Sequence, residues 1–173
     1  MTGFRMPVES NSFSEFLNEL DRTIESSAAR MLALDENQVM QTAKNDGWTR
    51  KQILGHLIDS AANNHQRFVR AQFTNELVFP GYDGDQWVEV QHYNDAEWSQ
   101  LVQLWKLYNL HLVHLASFIS PITLERERTN HNLDQIAFQT VDTKEPVTLE
   151  YFIRDYADHM KHHLEQIFLR IDF

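Results

Sequence analysis

Apolar residues spaced three and four apart, over four stretches of roughly twenty residues each, limit this chain to a fold of long amphipathic helices. Phe13, Phe16, Leu17, Leu20, Ile24 and Met31 mark the first stretch, which extends to about Leu34. It opens at Ser12 with Glu15 three residues on, the reciprocal pair of a capping box. The second opens at Thr49, with Gln52 three residues on and Trp48 and Ile53 placed as a hydrophobic staple, and runs to about Gln72. The third has Asn94 as its expected cap and Glu97 three residues later. Leu101, Leu104, Trp105, Tyr108, Leu112, Leu115 and Ile119 form its stripe until Ser120-Pro121 stops it. The fourth follows Pro146 and Thr148 and runs from about Leu149 to Ile171. Only five glycines and four prolines in 173 residues argue against many short strands. The reading is an all-α four-helix bundle, one domain over residues 1–173.

The long connections leave the helix order open. Residues 76–93, "ELVFPGYDGDQWVEVQHY", mix aromatics with Pro80-Gly81 and Asp83-Gly84 and are expected to fold over the bundle. In residues 122–147, "LERERT" and "IAFQTV" are candidates for a short hairpin. A net charge of −10 with scattered Lys and Arg points away from nucleic acid, which needs a concentrated basic surface. No apolar run reaches the roughly 18 residues that span a membrane, and no signal-peptide pattern opens the sequence, so the expectation is a cytoplasmic protein that does not enter the membrane. The sequence contains no cysteine, so thiolate metal ligands are excluded and any reactive thiol arrives on a substrate.

"DYADHMKHH", Asp155 to His163, sets two imidazoles in the middle of an apolar stripe. Positions four apart on a helix share a face, so His159 and His163 join Phe152, Tyr156, Ile167 and Ile171, while His162 turns to the flank. An H-x-x-x-H pair can present two nitrogens to one first-row metal ion. It can equally be a pair of core histidines bonded to polar neighbours, or a helix turned towards water. On the second helix the apolar stripe Ile53, Leu57, Ala61, Phe68 is flanked by a polar one, His56, Asp59, Ser60, Asn63, Arg67. Buried polar groups are costly without partners, so this pattern predicts a wet cavity, with the solvated edge of a helix as the alternative. His56 is then a third imidazole facing His159 and His163. Asp59 and Asp155, each one turn from a histidine, are candidates to orient a ring. Asn63 and Arg67 are candidates to hold a substrate carboxylate, with a structural hydrogen-bond network as the alternative. Tyr82, Trp87 and Tyr93 are candidate roof residues.

The segments "GWTRKQILGHLIDSAANNHQRFVRAQ", "FPGYDGDQWVEVQHY", "LWKLYNLHLVHL" and "DYADHMKHHLEQI" resemble the DinB-like superfamily, in particular its YfiT-like branch of metal-dependent hydrolases, from about Gly47 onwards. The resemblance implies a bundle wound up-up-down-down with a long crossover. It also implies one divalent ion, zinc or nickel, held by His56, His159 and His163, with His162 as the non-ligand. Some relatives transfer low-molecular-weight thiols such as bacillithiol, which makes the implied activity a hydrolase or a thiol S-transferase acting on a small molecule. A homodimer is expected by the same resemblance. A non-catalytic, metal-stabilised or stress-associated bundle that binds a small molecule is the other reading of the same residues.

Overall fold

Side-chain caps start three of the four long helices where the sequence places them. A computed structural model describes residues 12–42 and 47–169. The long helices are α1 (Phe13–Leu32), α3 (Arg50–Arg70), α5 (Trp98–Ser117) and α8 (Leu149–Phe168). Short helices α2 (Glu36–Val39), α4 (Gly84–Val90), α6 (Pro121–Glu125) and α7 (Leu133–Ile136) lie in the connections. Both capping boxes form, Ser12 with Glu15 and Thr49 with Gln52, and Thr148 accepts from the Tyr151 N–H. Ile171 lies outside the described residues, so the end of the fourth stripe is not described.

The third cap falls elsewhere. Asn94 sits in a 3₁₀ turn, Tyr93–Asp95, and its side-chain oxygen accepts from the Thr49 hydroxyl at 2.6 Å. Helix α5 starts four residues later, with Glu97 at the cap position and no side-chain cap. Its buried stripe is Trp98, Leu101, Val102, Trp105, Asn109, Leu112 and Ala116, so Leu104 (49% exposed) lies off it.

Which helix ends meet fixes the winding. Trp98 at the start of α5 donates its indole N–H to the Met31 carbonyl at the end of α1, 2.7 Å away, so these helices are antiparallel. Lys51 at the start of α3 reaches the Ala96 carbonyl just before α5, and the His65 ring lies 5.2 Å from His111 farther along, so α3 and α5 are parallel. Arg50 bonds the Ile167 carbonyl while Phe68 packs edge-on against Phe152, which makes α3 and α8 antiparallel. Arg154 lies over Phe16 and Arg30 over Phe168, so α1 and α8 run together. The order along the chain is up-down-down-up, a correction to the expected up-up-down-down. The long crossover joins the parallel pair α3 and α5, whose linking segment must return along the bundle. It does so on α3, where Gly84 lies against His56, Tyr93 against Gly55 and Asn94 against Thr49.

The core includes Ile24, Met31, Ile53, Leu54, Phe68, Trp105 and Phe152, all at or below 2% exposed, and each such side chain contributes about 1.5–3 kcal/mol by leaving water. The expected hairpin in 122–147 is absent: Arg128 bridges Val147, Leu77 bridges His131, and no named strand occurs among the described residues. Among them, no helix is long and apolar enough to cross a membrane.

Candidate metal centre

The antiparallel pairing of α3 with α8 brings His56 opposite His159 and His163. One nitrogen from each of the three rings lies within 4.8 Å of the other two. The Nε2 atoms of His56 and His159 are 3.2 Å apart. Two imidazoles on one tetrahedral ion, with bonds of about 2.0–2.1 Å, would hold their nitrogens roughly 3.4 Å apart. The ring centroids stand 4.6–5.2 Å from one another, all edge to face.

The electrostatics favour the form that coordinates metal. Burial, helped by the neighbouring His163 ring, pushes His56 down to about 4. Burial and then the His163, His56 and His162 rings push His159 down to about 3. Both rings are therefore neutral near pH 7, with lone pairs available. Gln166 takes the Nδ1–H of His163 on its side-chain oxygen at 2.6 Å, which makes Nε2 the acceptor nitrogen of that ring. The Ser60 hydroxyl is 3.4 Å from His159 Nδ1, a long contact. His56 Nδ1 is buried without a partner. A methyl placed on Gly84 would come to 3.3 Å from that atom, a tight contact that glycine avoids. Three imidazoles converging on one point, two of them kept neutral by burial and the third with its tautomer set, fit a divalent metal ion.

Around the cluster the chain builds an aromatic wall. Trp48 lies 5.1 Å from the His56 ring, Tyr82 6.4 Å from it, and Phe138 5.5 Å from His159. A cavity of about 340 Å³ opens beside His56 and His159 and extends along α3 past Ser60 and Asn64 to Arg67. That size suits a small organic molecule.

The other residues singled out from the sequence fall as follows. Asp59 is buried but accepts from the Tyr93 hydroxyl and the Gln91 amide, both at 2.7 Å, and does not bond His56. Asp155 uses its two oxygens on the backbone N–H groups of Phe138 (2.9 Å) and Gln139 (2.6 Å), so it fastens the 122–147 connection rather than the His159 ring. Asn63 donates to the Asp59 carbonyl and is off the cavity wall, where Asn64 stands instead. Arg67 is on the wall. Of the roof candidates, Tyr82 lines the cavity, Trp87 packs on Tyr82, and Tyr93 is buried against Gly55 of α3, off the cavity wall. His162 is exposed on the flank, as the helical wheel places it. Gln166 was missed, although three residues past His163 on a helix is a contact position.

No family model matches the chain. A Bacillus mycoides protein named "Putative metal-dependent hydrolase" is 30% identical over 152 residues, covering 87% of this chain and 76% of its own length. "Putative metal-dependent hydrolase YfiT" of Bacillus subtilis is 29% identical over 134 residues, 78% of this chain and 70% of that one. The solved structure of YfiT from Bacillus subtilis, described as having "an unusual four-helix bundle topology", matches with a TM-score of 0.74 at 21% identity, over 96% of this chain and 89% of that chain. With a three-histidine cluster on a bundle of this shape, the chain belongs to the YfiT-like family, whose members carry the name "Putative metal-dependent hydrolase".

Proposed function

We propose that this protein is a metal-dependent hydrolase in which His56, His159 and His163 hold one divalent ion, zinc or nickel, against a small-molecule substrate. The observation that carries the reading is the convergence of three imidazole nitrogens within 4.8 Å at the edge of a cavity. Three protein ligands leave a coordination position open, the pattern of catalytic rather than structural sites. When bound, the ion lowers the pKa of a water or a thiol in that position and so supplies a nucleophile near neutral pH. The chain's own residues do the rest. Gln166 keeps the His163 proton on Nδ1, and Trp48, Tyr82 and Phe138 exclude bulk water from the rings. The cavity holds the substrate beside His159. Transfer of a low-molecular-weight thiol would use the same open position and the same residues, and the product formed distinguishes it from hydrolysis.

The test measures bound metal and activity side by side in the parent protein and in His159→Ala. The expected result is a near-stoichiometric divalent metal and turnover of ester, amide or thiol-acceptor probes in the parent, with both lost in the variant. A parent that takes up no metal after loading, or a metal-depleted variant that turns over as fast as the parent, overturns the proposal.

A further inference from the structure

Arg67 on α3 is 6% exposed, and no carboxylate among the described residues pairs with it. A guanidinium carries five N–H donors. The structure gives Arg67 two hydrogen bonds, to the Pro80 carbonyl at 2.9 Å and to the Asn64 side-chain oxygen at 3.4 Å. The other two buried guanidinium groups without a carboxylate, Arg50 and Arg128, are differently placed. They spend their donors mainly on main-chain carbonyls, those of Ile167 and Leu169 for Arg50 and those of Thr123, Arg126 and Ala71 for Arg128. Arg67 instead forms part of the cavity wall, at the far end from the histidines. The one acidic residue on that wall, Asp155, has both oxygens engaged by backbone N–H groups.

We propose that the cavity accepts an elongated substrate carrying a carboxylate, which Arg67 binds while the reacting end lies at the histidine cluster. The inference deepens the metal-enzyme reading and rests on it for the reacting end, but the carboxylate site stands on Arg67 alone. A buried cation without a counter-charge is costly, and a carboxylate taking its open donors in two-pronged fashion removes that cost. The distance between the two ends follows from the helix. His56 and Arg67 are eleven residues apart on α3, roughly 16 Å along the axis. The long Arg side chain leans back towards the helix N-terminus, which brings its head to something on the order of 10 Å from the cluster. Between the ends, Ser60 and Asn64 form a polar ladder along one wall, and Phe152 and Tyr156 an aromatic wall along α8. The substrate class is therefore a carboxylate separated from its reacting group by a spacer several bonds long, with one polar and one apolar flank.

The test separates the two halves. In chelator, with metal-free protein, calorimetry compares octanoate with octanol for the parent, Arg67→Gln and Arg67→Lys. The expected result is a parental preference for octanoate of at least roughly tenfold, the scale of a charge-assisted bond. It should be abolished in Arg67→Gln and partly kept in Arg67→Lys. Equal binding in the parent (including no measurable binding of either ligand) or a preference that survives in Arg67→Gln overturns the proposal. An Arg67 that only straps the Pro80 loop gives no such preference. Cobalt-loaded protein is then titrated with mercaptooctanoate and mercaptooctanol, following the thiolate-to-cobalt absorption band. Bands of equal affinity for both ligands would end the carboxylate proposal and leave the metal reading standing. An octanoate preference without any band would do the reverse.

Discussion

Replacing Gly55 by alanine sets two rules of helix stability against each other. Gly55 lies in the interior of α3, where alanine is intrinsically better than glycine by about 0.8–1.0 kcal/mol. A methyl group there would overlap the ring of Tyr93, striking its Cγ, Cδ2 and Cε2 atoms. Tyr93 is only 6% exposed, and its hydroxyl is 2.7 Å from the Asp59 carboxylate, whose second oxygen already lacks a partner. The ring cannot retreat without lengthening that bond. Overpacking costs about 1–3 kcal/mol, and a hydrogen bond to a charged group about 1.5–3 kcal/mol. Setting the helical gain against these leaves a net loss of roughly 1.5–5 kcal/mol. At about 2–4 °C per kcal/mol for a chain of this size, the melting temperature should fall by roughly 3–20 °C. Urea unfolding followed by circular dichroism would show a lower midpoint at unchanged slope. Adding Tyr93→Ala should make the Gly55→Ala step cost much less than it does alone. A Gly55→Ala variant as stable as the parent, or more so, would refute the close approach of the 71–97 connection to α3.

Gln166→Ala should leave the melting temperature of the metal-free protein nearly unchanged and weaken metal binding by roughly 10–100-fold, measured by competition with a coloured chelator. Unchanged affinity would show that the 2.6 Å contact to His163 does not set its tautomer. The metal-free protein should also lose stability in acid. His56 and His159 sit at about 4 and about 3 when folded against an ordinary 6.5, so the unfolded chain binds more protons between these limits. Their contribution is fully present above 6.5 and lost as pH falls through the folded values, partly offset by Asp59 and Asp155, which burial raises. Urea midpoints in chelator should therefore decline below pH 6.5, and less so in His159→Gln; a flat profile in the parent contradicts the burial of these rings.

What could be read from the sequence was whatever local chemistry decides. Ser12 and Thr49 meet Glu15 and Gln52 within one turn, so those caps need no partner from elsewhere. Asn94 is equally suited to cap α5 but is used by Thr49, 45 residues away in sequence, which no local pattern shows. The winding was lost for a similar reason: nothing in residues 71–97 says that they retrace α3 instead of crossing to a new edge. The histidine convergence was legible because a four-residue spacing in an apolar stripe allows few other directions. Choosing Asn63 over Asn64 was an error of about 100° on the wheel. It is settled by which side of α3 the residues around Gly81, Tyr82 and Gln135 cover.

The same packing decides what metal removal should do. The α3–α8 contact is anchored on both sides of the cluster. At one end Phe68 meets Phe152 at 5.7 Å and Tyr156 at 5.8 Å, edge to face. At the other, Arg50 ties the Ile167 and Leu169 carbonyls at 2.7 and 2.9 Å. The α3–α8 contact thus has anchors of its own on either side of the three imidazoles, and on this packing the bundle is expected to form without an ion. Chelation should leave the helical circular dichroism intact and lower the melting temperature only by mass action. Restoring metal at a hundred times its dissociation constant should return about 2.7 kcal/mol. Unfolding on chelation would mean that the ion assembles the α3–α8 interface, as in domains where metal binding supplies the folding energy. The two outcomes differ in the far-ultraviolet spectrum before any heating begins.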